Sequence, residues 1–97
     1  MNYKRIESMQ KAYGYTELQN NINTGLSWKL GGSSGRAAMY ALETGMCMLP
    51  KESHRDAYGN RIPSRDELRK GSKGTYQNCA KFWEAVDNGE IFLEEEI

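Results

Sequence analysis

Long apolar runs are missing from this sequence. Nowhere do even ten apolar residues stand together, so no segment reads as a membrane-spanning helix. The opening M-N-Y-K-R-I-E-S-M-Q has no apolar core of the kind a secretory leader needs, and the expectation is a cytoplasmic chain. Cysteine is scarce. Cys47 and Cys79 are the only two, expected as free thiols in a reducing compartment; a 47–79 disulfide would require export. Histidine is scarcer, with His54 alone. One histidine and two separated cysteines cannot supply the four ligands of a structural zinc, and no C-x-x-C or H-x-x-x-H pair is present. The D-x-D-x-D-G pattern of a calcium loop is absent as well. No metal and no other cofactor is expected.

Catalysis is not expected either, and no catalytic residue is nominated. A thiolate at Cys47 or Cys79 could in principle use His54 as its base. Cys79 falls on an apolar helical stripe and Cys47 between two methionines, which are settings for packing.

What is present is 97 residues, 38% hydrophobic, with a mean hydropathy of −0.80. That is enough for one domain, spanning 1–97, with a small core. The candidate core residues are Trp28, Trp83, Phe82, Leu26, Leu30, Met39, Leu42, Ile62, Leu68, Tyr76 and Val86. Burying each such side chain fully contributes roughly 1.5–3 kcal/mol, so ten or so can offset chain entropy with little to spare.

The apolar spacing predicts a mostly α fold: a compact single domain of four to five short helices, with at most a minor β element. Tyr3, Ile6, Met9 and Tyr13 share one helix face, closed by Gly14. Thr16 and Gln19 read as a capping box opening a short second helix. Leu26–Leu30 alternates apolar and polar and reads as a short strand or equally as one helical turn. After Gly31-Gly32-Ser33-Ser34-Gly35, the run from Arg36 to Glu43 has high helix propensity, with Ser34 as the expected N-cap, Gly45 as the stop, and Ala38, Met39, Leu42 and Met46 on the buried face. Ser64 and Glu67 form a second capping box, expected to open a helix of roughly five to seven residues. Thr75 caps the clearest helix, whose stripe is Tyr76, Cys79, Phe82, Trp83 and Val86. A hairpin pairing Ala57-Tyr58 with Arg61-Ile62 about Gly59-Asn60 is a weaker option. Ile91-Phe92-Leu93 could form a strand, a hook or a contact that supports a homodimer, ahead of an acidic tail, 90–97.

The charge is zero overall but unevenly placed, because all 13 basic residues precede Glu84. The segment 51–73 has a net charge of +3 around Tyr58, which suits an acidic protein face or nucleic acid. His54, Arg55, Tyr58, Asn60, Arg61 and Arg65 are the candidate binding residues, since tyrosine and arginine dominate interface hot spots. The alternative is that Tyr58 and Ile62 pin a loop while the arginines pair with Asp56 and Glu67. A second candidate is an anion site at Ser33, Ser34, Gly35 and Arg36, where backbone N–H groups at a helix start could meet a phosphate. The Lys-Ser/Thr pair of a Walker loop is missing there, and a plain turn with a cap would use the same residues.

From Gly25 to Trp83 the chain resembles small uncharacterised proteins encoded by tailed bacteriophages. The likeness rests on the G-S-S-G-R helix start, M-L-P and Y-G-N-R-I-P-S-R. The resemblance implies no assigned activity and transfers no site residue. It implies a context in which small accessory proteins bind and redirect or inhibit a host protein, neutralise host defences, or bind small signalling nucleotides. The leading expectation is therefore a non-enzymatic protein that contacts a host protein, with inhibition as one form that contact could take. Binding of nucleic acid through 51–73, or of a phosphorylated ligand at Ser33–Arg36, stands as the alternative.

Overall fold

The computed structural model describes residues 1–93. A buried, irregular stretch, Met46-Cys47-Met48-Leu49-Pro50, runs through the middle of the molecule, and the helices are arranged around it. These helices are α1 (Tyr3–Ala12), α2 (Thr16–Asn23), α3 (Leu26–Leu30), α4 (Gly32–Thr44) and α5 (Tyr76–Asp87). One small antiparallel pair, β1 (His54–Arg55) and β2 (Arg61–Ile62), completes the described elements, with His54 opposite Ile62 and Arg55 opposite Arg61. The fold is mostly α, as the apolar spacing predicts. No helix among the described residues is long and apolar enough to cross a membrane.

Buried backbone outside helices and strands must find hydrogen bonds elsewhere. Here other elements supply them. The Met46 carbonyl accepts from Gln10 Nε2 of α1 at 2.9 Å and from Trp83 Nε1 of α5 at 3.0 Å. Gln19 of α2 binds both polar groups of Met48: its Oε1 accepts from the N–H and its Nε2 donates to the carbonyl, each at 2.9 Å. The Leu49 N–H donates to the Gly74 carbonyl at 2.8 Å, and the Leu49 carbonyl accepts from Arg65 Nε at 2.7 Å. Around this polar seam sit Ile6, Ile22, Trp28, Ala38, Ala41, Leu42, Cys79, Phe82, Trp83 and Val86.

The Thr75 cap forms as expected, and Asn2 supplies a further one that the apolar spacing did not indicate. Asn2 accepts from the Arg5 N–H at the start of α1, and Thr75 from the Asn78 N–H at the start of α5. Other expectations are corrected. Leu26–Leu30 is a helical turn, with Ser27 and Trp28 buried and Leu26 and Leu30 exposed; five residues are too few to separate a period of two from one of 3.6. Ser34 lies inside α4, which starts two residues earlier, at Gly32, after Gly31. Met39 is 53% exposed, because Ala38, Ala41 and Leu42 carry the buried face of α4. Thr16 is the first helical residue of α2 and makes no cap, since Gln19 is drawn inward to Met48.

No helix forms from Ser64 to Lys70. The Ser64 N–H does donate to Glu67 Oε2 at 2.8 Å, so the capping pair exists. Arg65, however, gives its backbone N–H to the Pro50 carbonyl and its side chain to Leu49, and the segment closes as turns. The hairpin is real but displaced from the expected pairing, with a five-residue loop, 56–60, folded around the Asp56 side chain. Ile91–Leu93 is not a strand: Phe92 is exposed, and Leu93 packs on the core. The acidic tail beyond Leu93 lies outside the described residues.

Gly74 has a positive φ of 93°, and a Cβ there would lie 2.7 Å from Leu49 Cδ1. Left-handed backbone costs an L-residue about 1–2 kcal/mol, and overpacking a core adds a similar amount. Gly74→Ala is expected to lower stability by about 3 kcal/mol in urea unfolding. A variant within about 0.5 kcal/mol of the parent would show that the Leu49 contact is soft.

Candidate functional site

The six residues nominated around Tyr58 do not act as one surface. His54 turns inward, where Nε2 donates to the Asn23 carbonyl at 3.0 Å and the ring covers Gly25, whose φ is 82°. Arg65 is buried. Arg61 pairs with Glu67, and Arg55 donates to the Gly59 carbonyl at 2.8 Å. The Asp56 carboxylate collects the backbone N–H groups of Tyr58 and Asn60 and the Asn60 amide. Desolvation alone would raise its pKa, but these bonds outweigh it and hold the carboxyl below its ordinary range. The hairpin tip is thereby fixed, and it presents Tyr58, 89% exposed, to solvent. Within the basic segment, Lys73 pairs with Glu43 on α4.

The second nominated cluster, Ser33 to Arg36, lies within the first turns of α4 and not before it. Gly35 and Arg36 nevertheless come together with the hairpin. They line an open groove of about 400 Å³ whose other walls include Trp28, Met39, Asp56, Tyr58 and Ile62. A second hollow of about 250 Å³ shares Trp28, Met39 and Ile62 and is closed by Leu42, Leu49 and Pro63. Together they form one largely apolar groove between α4 and the segment 54–63. The Ala57 N–H donates to the Trp28 carbonyl, which holds the hairpin over α3.

Trp28 is central to both hollows and only 6% exposed. Its Nε1–H is buried and has no hydrogen-bond partner among the described residues. An unpaired buried donor costs about 1–3 kcal/mol, and native structures contain few of them. Met39 and Tyr58, which line the groove, stand 53% and 89% exposed. Sequence reasoning placed Met39 in the core alongside Trp28, which does lie there, and so missed the groove. The available signal was a second apolar pair, Met39-Tyr40, on the face of α4 opposite Ala38 and Ala41.

The two thiols are buried and free. Burial pushes both from 9.0 up to about 12, and for Cys47 the neighbouring Cys79 adds to the shift. Thiolate is thus absent near neutral pH, and His54 is engaged with Asn23. Alkylation of either cysteine at pH 8 is expected to follow global unfolding, with no fast phase in a native-state labelling time course. Because both thiols stay protonated in the fold to higher pH than in the open chain, stability should fall as pH rises from about 9 towards 12. Among the described residues no group of three or more His, Cys, Asp and Glu side chains is placed to hold a metal ion.

Comparison with protein-family models, with curated proteins and with solved structures returns no match.

Proposed function

We propose that this chain is a non-enzymatic binding protein that holds a partner protein in the groove between α4 and the hairpin. The observation that carries the reading is the apolar groove floored by Trp28, with an indole N–H that nothing among the described residues satisfies. Around it lie exposed methionine, tyrosine and arginine, the residue types that interfaces favour. A contiguous apolar patch on a small protein generally marks a contact surface. The phage-type resemblance supplies the context: a host protein in the bacterial cytoplasm, whose activity the bound chain redirects or inhibits. The partner segment that fits is one with an apolar side chain for the hollow and a carbonyl that can accept from Trp28, with an acidic group near Arg36.

The test is capture from bacterial lysate with the native chain and with Met39→Glu and Tyr58→Ala, both at exposed positions. A stoichiometric protein retained by the native chain and lost with Met39→Glu supports the reading. Tyr58→Ala is expected to weaken that binding by about 2 kcal/mol, roughly thirtyfold. Binding that falls log-linearly and steeply with salt would point to nucleic acid through 51–73 instead. Retention of the same partners by both variants would remove the groove from consideration.

Trp28→Phe separates binding from folding. Losing the indole opens a small cavity but also removes the unpaired donor, so stability should stay within about 1 kcal/mol of the parent. Affinity for the partner should drop about tenfold, the worth of one buried hydrogen bond. A stability loss of several kcal/mol with unchanged affinity would contradict the role given to Nε1–H.

A further inference from the structure

A second cleft, which shares no lining residue with the groove, lies between α1, α2 and the segment 48–66, with a volume of about 460 Å³. Its character is the reverse of the groove. The amides of Gln10, Gln19 and Asn23 line it with the Tyr3 ring, and two cations, Lys51 and Arg65, open onto it. Arg65 is only 6% exposed. A guanidinium so deeply buried normally has a carboxylate partner, because desolvating the charge is costly. Among the described residues Arg65 forms no ion pair. Its contacts there are neutral: the Leu49 carbonyl at Nε, Asn23 Oδ1 at Nη2 (3.0 Å), and the Tyr3 ring face at 5.7 Å.

The geometry of the fork matters. Nε–H and one N–H of Nη2 form the side-on edge of a guanidinium, and here both are occupied. The end-on edge, one N–H from each of Nη1 and Nη2, has no partner among the described residues. That edge matches two oxygens of a carboxylate or phosphate group, in the bidentate pairing at which arginine excels. Glu7 and Asp66 also line the cleft, so its walls sum to no net charge. A ligand with several anionic groups would gain little from such walls. A single oxyanion opposite Arg65 supplies the missing counter-charge, while Gln10 Oε1 and Asn23 Nδ2, which have no partner among the described residues, can hydrogen-bond a polar body. The volume falls within the range of small-molecule sites.

We propose that this cleft binds a small ligand that presents one carboxylate or one phosphate group to the end-on edge of Arg65, with Lys51 as an outer cation. This site is separate from the groove and does not depend on the partner-binding reading.

The probes are acetate and L-alanine for the carboxylate class, and inorganic phosphate and adenosine monophosphate for the phosphate class. Acetamide and adenosine serve as neutral controls. Two-dimensional ¹⁵N NMR follows the Arg65 Nε–H and the Gln10, Gln19 and Asn23 side-chain amides, and the Trp28 indole N–H reports on the groove. The expected result is a saturable shift of the cleft signals with at least one anionic probe, a still Trp28 signal, and no response to the neutral analogues. Which probe saturates identifies the class. Lys51→Ala, at an exposed position, should weaken binding roughly threefold, as expected for a solvated charge. Arg65→Gln should abolish it. No saturable shift with any of the four anions overturns the proposal. So does a shift matched by the neutral analogues, or one that survives Arg65→Gln. Should Arg65→Gln fail to fold, Lys51→Glu decides: affinity unchanged from the parent overturns the site, and loss supports it.

Discussion

Gln19→Leu is expected to lower the unfolding free energy by about 4 kcal/mol, one of the largest effects of any single substitution in this chain. Leucine has nearly the volume of glutamine and keeps the helix propensity of α2, so packing changes little. What is lost is polar. Gln19 is the partner of both Met48 backbone groups, and among the described residues neither group has another. Each buried backbone group left unpaired costs about 1–3 kcal/mol. Gln10 would lose one of its two acceptors as well, keeping Met46 at 2.9 Å. Domains of this size hold about 5–10 kcal/mol in total, so the loss should appear as a much lower urea midpoint with a similar slope. Gln19→Glu makes the sharper contrast. A carboxylate can accept from the Met48 N–H but cannot donate to its carbonyl, so this variant should regain stability on acidification, when a protonated carboxyl can donate. A Gln19→Leu variant as stable as the parent would mean that water replaces the amide at Met48.

The contrast between Gln19 and Phe82 shows what the sequence disclosed and what it did not. Phe82, Trp83, Cys79 and Val86 recur at helical spacing behind Thr75, so α5, its cap and its buried face are readable without coordinates. Local rules were enough there, because the stripe and the cap lie within a dozen residues. Gln19 obeys no local rule. Its position three residues after Thr16 suggests a capping box, but its amide is spent on Met48, 29 residues away. The same competition stops the 64–70 helix, where Arg65 is drawn to Pro50 and Leu49. Both misreadings have one cause. The irregular 46–50 stretch is apolar enough to be buried yet carries a backbone that polar side chains must serve, and a sequence pattern does not reveal which ones. The groove was hidden for a related reason. Tyr58 and Arg36 were each identifiable as contact residues, but their meeting across Trp28 is a property of the tertiary fold.

Arg65→Ala is expected to cost a further comparable amount, about 4 kcal/mol by urea unfolding, and its comparison with Arg65→Met separates the two jobs of the side chain. As a structural group, Arg65 satisfies the buried Leu49 carbonyl at 2.7 Å, bonds Asn23 Oδ1 at 3.0 Å and stacks over Tyr3, which itself lies 4.4 Å from the Tyr76 ring. Alanine removes all three contacts and leaves a void between α1 and the 48–66 segment. Methionine restores most of the apolar stem and removes a charge that is buried without a counter-ion among the described residues, so it should recover about half of the loss. The remaining deficit belongs to the Leu49 carbonyl. If the guanidinium charge itself stabilised the fold, Arg65→Lys, which keeps the charge but lacks the planar fork, would approach the parent in stability. It is expected instead to resemble Arg65→Met, because what this site uses is the direction of Nε–H and Nη2–H. A lysine variant equal to the parent would show that the charge, and not the fork, is what holds the 46–50 stretch in place, and would weaken the case for a ligand on the unoccupied edge.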